Sequence, residues 1–438
     1  MKKMYETLDN WKRSSFITEV REGNVCLMGW VDKINKLSNN SWIIFIRDKT
    51  GIKKFIIKTV FKENISKLEK LTPESVIALK GKLIGLNLNL NNDGIKIFNL
   101  AHSPFPYSKK ELNISSIKML PKRQFVIRSQ DMVYIMELRS SILNAIRQYM
   151  KKRGITEFSS QTIALATDPG VRSANLFTLP DYQKSPYILS SSAQLYKQAA
   201  LIPLDKVYTI SPALRAEQVE AKFTGRHLCD FWELDVEMAF TNYDDIMNFA
   251  ERMLQYIITF VMKNNKKELN ALNSKLKIPK IPFIKIPHYK AVKLAKKKGI
   301  ETGKGEEISW GAEKVISEEF NQPFWVVDYP VTSRTWYYRR DLKNTQIVRT
   351  MDLLYPRGFG EGITGGEREY DYKTLLERIK EKGDNPKKYL WYLDMFKYGM
   401  PPSAGFGLGI ERLIRFLGNR KYIWETNMFP RVPGIISP

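Results

Sequence analysis

The sequence predicts an α+β fold in two parts, a small β-barrel followed by a larger domain built on an antiparallel sheet flanked by helices. Three observations predict it: short strand-like runs through residues 1–108, an apolar helical stripe that begins near residue 131, and a charged hairpin over residues 207–240. A chain of 438 residues is long enough for two domains. We expect the first domain at 1–108, a linker at 109–130 and the second domain at 131–438.

The composition is strongly basic, with 70 Lys and Arg against 46 Asp and Glu and a net charge of +24. This balance favours a polyanionic partner such as nucleic acid, and the alternative is a lysine-rich bias without binding meaning. Two cysteines and three histidines are too few to predict a structural zinc site. No apolar run approaches the ~18 residues of a membrane span, so we expect a cytoplasmic protein without a membrane partner.

The first 108 residues read as five strands, one helix and several turns. Strands are predicted over 25–31, 42–47, 53–59, 75–83 and 95–100, a helix over 61–71, and an Asn-rich loop over 86–94. This series suits a barrel of the oligonucleotide-binding type. Residues 1–110 contain 20 Lys and Arg against 10 Asp and Glu, a net charge of +10.

A long helix is predicted to begin at Asp131, a good N-cap residue, and to end at Gly154. Its stripe of Ile135, Leu138 and Ile142 predicts a core or dimer contact.

The charged hairpin has one polar and one apolar face. Successive strand residues point to opposite faces, so Phe231, Glu233, Asp235 and Glu237 share one of them. The opposite face carries Trp232, Leu234, Val236 and Met238 and can join the core. Such a hairpin fits an ATP site, with arginines for the phosphates and an aromatic ring for the purine. An ordinary hairpin with a solvated face is the alternative.

The pattern LRAE…GRHLCDF in this hairpin resembles motif 2 of the class II aminoacyl-tRNA synthetases, in particular the aspartyl, asparaginyl and lysyl group. SAGFGLGIERLIRF at 403–416 is similar to motif 3 of that family, and residues 154–163 resemble the strand of motif 1. Motif 1 builds the dimer in the family, so the resemblance implies a homodimer. The chain has Gln161 where the family has a proline, which leaves the details of the dimer open.

The resemblance assigns two groups of residues to ATP and Mg²⁺. Arg215 would clamp the α-phosphate and Phe231 would stack on adenine, while Asp352 and Glu361 would coordinate magnesium through hard oxygen ligands. Arg215 and Arg412 would be the catalytic residues. The complete ATP-binding set implied is Arg215, Glu217, Arg226, His227, Phe231, Glu361 and Arg412.

The resemblance extends over nearly the whole chain and is strongest to asparaginyl enzymes of the archaeal or eukaryotic type, through DLLYPRGFGEG and SSSAQLY. Lys197 and Asp235 nevertheless follow the aspartyl pattern. We therefore expect Lys197 and Arg368 to converge on the carboxylate of an aspartate substrate, with Asp235 holding the lysine. The alternative is that Lys197 pairs internally with Asp235 or Glu237 and the pocket takes asparagine. The predicted amino-acid-binding set is Asp168, Gln194, Lys197, Asp235 and Arg368.

The resemblance also implies tRNA as a partner, bound in part by the barrel. Ile43 and Lys54 stand where the family has a stacking Phe and a hydrogen-bonding Gln. Trp42 or Phe45 could serve as the stacking platform instead. Trp42, Phe45 and Lys54 are therefore the predicted tRNA contacts.

Two other functions are compatible with parts of the sequence. One is an asparagine synthetase related to this family, which forms aspartyl-adenylate and transfers it to ammonia, although those enzymes lack the N-terminal barrel. The other is a non-catalytic RNA-binding relative. The presence of Arg215, Asp352, Glu361 and Arg412 argues against it.

Overall fold

The computed structural model describes residues 7–8, 10–170, 174–179, 187–301 and 305–438. The chain divides into two compact units, Met1–Asn113 and Ile114–Pro438. None of the described helices is both long enough and apolar enough to cross a membrane.

The N-terminal unit contains a closed barrel of five strands in the order β3-β4-β5-β7-β6. A pair of two-residue strands precedes it, and one helix is inserted between β5 and β6. The elements are β1 (Thr7–Leu8), β2 (Trp11–Lys12), β3 (Gly23–Ser38), β4 (Ser41–Asp48), β5 (Gly51–Lys58), α1 (Lys62–Glu69), β6 (Val76–Ile84) and β7 (Asn87–Asn99).

Strand β4 shows which side chains fill the barrel. Trp42, Ile44 and Ile46 alternate into the interior, whereas Phe45 points outward and pairs across to Lys54 of β5. Trp42 is only 2% exposed. The prediction of Trp42 as a stacking platform is therefore wrong, because a base cannot reach a ring enclosed in the barrel core.

The Asn-rich loop predicted over 86–94 is instead the first half of strand β7. Leu88 and Leu90 are buried in the barrel core, and the asparagines between them lie on the other side of the strand. The alternation of leucine with asparagine is thus the period of a half-buried strand. It outweighs the low strand propensity of asparagine.

The C-terminal unit is built on an eight-stranded sheet in the order β13-β14-β15-β16-β17-β12-β11-β8. The pairs from β14 to β11 are antiparallel, and only β13–β14 and β11–β8 are parallel. The strands of this unit are β8 (Thr156–Glu157), β9 (Ile163–Ala164), β10 (Ile188–Leu189), β11 (Lys206–Leu214), β12 (Asp230–Ala239), β13 (Lys285–Pro287), β14 (Phe324–Pro330), β15 (Ile347–Tyr355), β16 (Gly360–Glu367) and β17 (Ser403–Gly409). Strands β9 and β10 form a separate two-stranded sheet.

Helices cover the sheet. They are α2 (Arg123–Val126), α3 (Gln130–Lys151), α4 (Gln194–Ala199), α5 (Tyr243–Asn264), α6 (Lys266–Ala271), α7 (His288–Lys297), α8 (Trp310–Ser317), α9 (Tyr372–Glu381), α10 (Leu390–Lys397) and α11 (Ile410–Leu417). The predicted antiparallel sheet flanked by helices is confirmed.

Helix α3 begins two residues earlier than predicted. Ser129 is its N-cap, because the Ser129 hydroxyl accepts a hydrogen bond from the backbone N–H of Met132 at 3.4 Å. Asp131 lies in the first turn instead, where its negative charge is favourable to the helix dipole.

The apolar faces of α3 and α5 pack with Leu234 and Val236 of β12 in one core cluster. The apolar face of the predicted hairpin is therefore confirmed for Leu234, Val236 and Met238, whereas Trp232, near the start of β12, is 38% exposed and lies outside this core. The polar half of the hairpin faces the other side of the sheet, where the candidate site lies.

Candidate active site

The polar face of the β11–β12 hairpin lines a cavity of about 1030 Å³. The two strands pair from Lys206 opposite Met238 to Leu214 opposite Asp230, so the hairpin is antiparallel as predicted. Phe231, Glu233 and Asp235 contribute to the cavity wall. The alternation read from the sequence therefore brings carboxylates and an aromatic ring to one side.

Arg215 follows directly after β11 and lies over this face. Its guanidinium is 4.9 Å from the centre of the Phe231 ring, and its Nη2 is 3.2 Å from Glu233 Oε1. Burial raises the pKa of the Glu233 carboxyl to about 7, although the positive charge of Arg215 opposes the rise. Glu217 also lines the cavity, and burial raises the pKa of its carboxyl too.

Arg226 lies in the cavity wall and is held by a buried ion pair with helix α8. Its Nη2 is 2.8 Å from Glu313 Oε2, and both side chains are 5% exposed. The same carboxylate oxygen accepts the backbone N–H of Glu361 at 3.1 Å. At Gly360, φ is +72°, and an added Cβ would come within 2.8 Å of the Arg226 guanidinium. A glycine is required there for both reasons.

Arg412, from α11, reaches the same part of the cavity. Its Nη1 is 2.9 Å from Glu361 Oε1, which also accepts a hydrogen bond from the Thr364 hydroxyl at 3.0 Å. His227 lies in the wall as well, with its Nδ1 2.6 Å from Thr224 Oγ1. The structure thus brings together three of the predicted phosphate-binding cations.

Lys197, from α4, lies in another part of the wall and is 1% exposed. Its Nζ is 2.7 Å from Asp235 Oδ1 and donates to the backbone carbonyl of Phe406 at 3.1 Å. The other carboxylate oxygen of Asp235, Oδ2, is buried without a hydrogen-bond partner within the described residues.

One edge of the Arg368 guanidinium forms a bidentate ion pair with the Glu237 carboxylate. Its Nε and Nη2 donate to the two Glu237 carboxylate oxygens at 2.9 and 3.0 Å, and Ser403 donates to Glu237 at 3.0 Å. Arg368 Nη1 is buried and has no hydrogen-bond partner in the described part of the chain. Arg368 is not among the described residues of the cavity wall, so its predicted convergence with Lys197 on a substrate stays a prediction.

Gln194 and Asp168 complete the predicted amino-acid-binding set, and both line the cavity. The Gln194 amide donates to Gln198 at 2.9 Å. Asp168 accepts from the Tyr337 hydroxyl at 3.0 Å and from the backbone N–H of Gly170 at 2.8 Å.

The glycines of the predicted motif 3 lie on β17, opposite the carboxylates of β12. Gly405 pairs with Glu237, Gly407 with Asp235 and Gly409 with Glu233. An added Cβ at Gly405 would lie 2.0 Å from Glu237 Oε2, whereas one at Gly407 would lie 3.4 Å from Asp235 Oδ1. The absence of side chains at these positions leaves room for the buried acids.

The two predicted magnesium ligands, Asp352 and Glu361, lie in different surroundings. Asp352 is buried on β15 in an ion pair with Arg334 at 2.6 Å and is not among the described wall residues, whereas Glu361 is. Within the described residues no group of three or more His, Cys, Asp or Glu could hold a metal ion. The role of Asp352 and Glu361 as a pair of magnesium ligands stays a prediction, and in this structure Arg334 forms an ion pair with Asp352.

Sequence reasoning missed Glu313 and Arg334, which line the site or support it. Glu313 lies in a Lys-rich region without a recognised motif, and Arg334 is one of several arginines near residue 340. Their partners are Arg226 for Glu313 and Asp352 for Arg334, and these pairs form only once α8 and the segment after β14 are in place in the fold.

The comparisons with known proteins agree with this geometry. The family model of the class II tRNA synthetases (D, K and N) matches residues 117–433. The chain is 34% identical over 430 residues to the asparagine–tRNA ligase of Pyrococcus furiosus, covering 96% of this chain and 97% of the relative. It is 35% identical over 446 residues to the aspartate–tRNA(Asp) ligase of Thermococcus kodakarensis, covering 97% and 99%.

Among solved structures, the asparaginyl-tRNA synthetase of Pyrococcus horikoshii complexed with asparaginyl-adenylate matches with a TM-score of 0.88 and 32% identity. The match covers 97% of this chain and 99% of that one. Family model, relatives and structure all extend across the cavity-forming unit, and on these matches the chain belongs to the class II tRNA synthetases of the D, K and N group.

Proposed function

We propose that the protein activates an Asx amino acid with ATP and transfers it to tRNA, as an asparaginyl/aspartyl-type tRNA ligase. The observation that carries the proposal is the polar face of the β11–β12 hairpin. There the Arg215 guanidinium lies 4.9 Å from the centre of the Phe231 ring, in a cavity that also contains a buried lysine and carboxylates. The relatives named above supply the reaction class.

Arg215 acts at the α-phosphate of ATP and Phe231 stacks on the adenine. Joining a carboxylate to that phosphate builds negative charge on its oxygens, and positioned arginines stabilise such a transition state. Arg226, His227 and Arg412 hold the outer phosphates, with Glu217 beside them.

Glu361 is the carboxylate that fits Mg²⁺ in this site. Mg²⁺ is commonly bound through one or two protein carboxylates together with substrate phosphates, so a second acid from the protein is not essential. Glu361 Oε1 is a hard ligand that lies 2.9 Å from Arg412 Nη1, at the phosphate end of the cavity. Magnesium bound there would offset phosphate charge.

Aspartate is the amino acid that the pocket supports best. An ammonium group has three N–H donors, and Lys197 uses two of them, on Asp235 and on Phe406. The third donor and the unpartnered Nη1 of Arg368 suit a carboxylate. Asp168 and Gln194 supply acceptors for the α-ammonium group.

Asparagine is the second candidate, and one observation favours it. Lys197 and Arg368 are already balanced by Asp235 and Glu237, so the pocket has no excess positive charge among these four groups. The buried Asp235 Oδ2 could accept a hydrogen bond from a side-chain amide.

Amino-acid-dependent pyrophosphate–ATP exchange tests the proposal. We expect magnesium-dependent exchange with aspartate, and Arg215→Ala should lower it by at least ~100-fold, as expected for losing a transition-state charge partner. Arg340→Ala, which removes a surface pair with Glu381, is the matched control and should retain activity. Undiminished exchange in Arg215→Ala would refute the site.

The barrel supports tRNA, not ammonia, as the acceptor. Its net charge of +10 over residues 1–110 has no role in a synthetase of a small molecule. The relatives reported above are tRNA ligases and give no support to an asparagine synthetase. We propose that the barrel is of the oligonucleotide-binding type and contacts tRNA through Phe45 and Lys54. The homodimer and the cytoplasmic location stay predictions.

A further inference from the structure

Residues 269–300 contain nine lysines and no Asp, Glu or Arg. All nine side chains are exposed. Three of them have acidic partners, in the pairs Lys285–Asp244, Lys296–Glu301 and Lys298–Glu319. For the other six, the described part of the chain shows no ion pair, although Lys293 Nζ lies 5.8 Å from the centre of the Tyr289 ring.

Helix α7 arranges three of these lysines in a row. His288, Ala291 and Ala295 form its buried side, and Lys290, Lys293 and Lys297 lie on the opposite side. We call these three residues the lysine face. Their spacing of three and four residues makes them neighbours on the helix surface.

The lysine face does not stabilise its own helix. Like charges spaced four residues apart destabilise a helix by a few tenths of a kcal/mol per pair. Lys290 also lies in the first turn, which contains no acidic residue and where the helix dipole disfavours a cation. Lys297 lies in the last turn, where the helix dipole favours a cation, so the helix itself accounts for only one of the three charges, and the other two suit an external anion.

The position of α7 connects this face to the cavity. His288, the first residue of α7, has its Nε2 3.0 Å from the backbone carbonyl of Glu306. The four residues that follow Glu306, from Glu307 to the exposed Trp310, line the cavity. The lysine face therefore belongs to a helix that adjoins the wall of the proposed active site.

The dimensions of the row suit a nucleic-acid backbone. Lys290 and Lys297 are seven residues apart, or roughly 10 Å along the helix axis. One strand of a nucleic-acid double helix advances roughly 3.4 Å along its axis per phosphate, so the row spans about three phosphate-to-phosphate steps.

We infer that the lysine face of α7 contacts the tRNA backbone beside the cavity, as an RNA-binding surface separate from the barrel. This inference rests on the proposed tRNA-ligase function and adds a surface to it. The contact is to phosphates, so it contributes affinity and positioning without reading the base sequence.

The test replaces the lysine face in the full-length chain by Lys290→Gln, Lys293→Gln and Lys297→Gln together. We expect about tenfold weaker tRNA binding, and a plot of log affinity against log salt that is shallower by about two to three units. Pyrophosphate–ATP exchange should be unchanged, because none of the three residues lines the cavity. The matched control carries Lys343→Gln, Lys387→Gln and Lys397→Gln, three exposed lysines on other elements.

Equal weakening in the test and control variants would overturn the inference, because net charge alone would then explain the effect. Unchanged tRNA affinity in the test variant would overturn it as well. If the wild-type protein neither bound nor charged tRNA, the proposed function itself would fail. The two failures are therefore distinguishable.

Two further measurements complete the test. Excess tRNA should protect Lys290, Lys293 and Lys297 from acetylation, as read by mass spectrometry, and equal labelling with and without tRNA would contradict the inference. Vesicles containing phosphatidylserine provide the other arm. If these vesicles retain the wild-type protein but not the test variant, and both bind tRNA equally well, the lysine face binds anionic lipid instead.

Discussion

Lys197 is packed between the Asp235 carboxylate and the backbone carbonyl of Phe406, with 1% of its surface exposed. We predict that Lys197→Leu abolishes aspartate-dependent exchange and leaves ATP binding intact, because the substrate carboxylate loses its cation. The variant also leaves Asp235 buried without its partner, which costs about 3–5 kcal/mol. The double variant Lys197→Leu/Asp235→Asn removes both charges and controls for that loss of stability. Efficient exchange with aspartate in either variant would show that Lys197 does not bind the substrate carboxylate. A wild-type preference for asparagine that survives Lys197→Leu would favour asparagine as the substrate.

Glu233 gives a prediction for pH. Burial raises the pKa of its carboxyl from 4.5 to about 7 in the folded protein, so the folded state binds this proton more tightly than the unfolded state does. Its contribution to the free energy of unfolding is therefore most favourable below pH 4.5 and declines as the pH rises toward about 7. Glu233→Gln should flatten this part of the stability profile, as measured by urea denaturation. Glu220→Gln, at an exposed site on the cavity rim, should leave the profile unchanged.

At the scale of elements, helix α8 supports the proposed ATP site through one side chain. Glu313 bridges the Arg226 guanidinium and the backbone N–H of Glu361, so it fixes two groups of the phosphate end relative to each other. We predict that Glu313→Gln lowers the melting temperature and that Mg-ATP raises it more in the variant than in the wild type. The reason is that phosphates then supply the anion that Arg226 has lost.

The exposed pair Lys298–Glu319 offers the control for this experiment. Glu319→Gln removes a carboxylate of the neighbouring segment without touching the cavity, and exposed pairs contribute little to stability. Its melting temperature and its response to Mg-ATP should match those of the wild type. An equal ATP response in Glu313→Gln would show that Glu313 does not position Arg226.

The elements also show what could be predicted from the sequence. The alternation in β12 correctly predicted that Glu233 and Asp235 share a face, because strand geometry alone decides it. The ion pair of Arg334 with Asp352 could not be predicted, since it depends on how β14 and β15 pair in three dimensions. The first half of β7 (Asn87–Asn99) was predicted as a loop because asparagine has a low strand propensity, although leucine and asparagine alternate there.

At the scale of the whole molecule, the barrel is proposed to bind RNA, and the C-terminal unit is proposed to carry the chemistry and a second RNA contact. We predict that Phe45→Ala in the full-length chain weakens tRNA binding by about 1–3 kcal/mol, the value of a base stacked on an aromatic ring. Pyrophosphate–ATP exchange, which needs no tRNA, should be unaffected. Ile84→Ala, at an exposed position on β6, is the control for loss of a surface side chain. Unchanged tRNA affinity in Phe45→Ala would exclude this ring as a stacking platform.

The glycines of β17 have a consequence for how this pocket can be altered. Gly405, Gly407 and Gly409 face the acids of β12, so this side of the pocket is bare backbone. Gly405 cannot change, because any Cβ would collide with Glu237, but Gly407→Ala would meet Asp235 at an ordinary contact distance of 3.4 Å. A change of substrate preference, in nature or in the laboratory, is therefore restricted on the β17 side of the pocket. New side-chain chemistry has to enter from α4 and β12. On β17, an added Cβ would meet its nearest neighbour at an ordinary 3.4 Å at both Gly407 and Gly409, so alanine at either position would only make the pocket smaller.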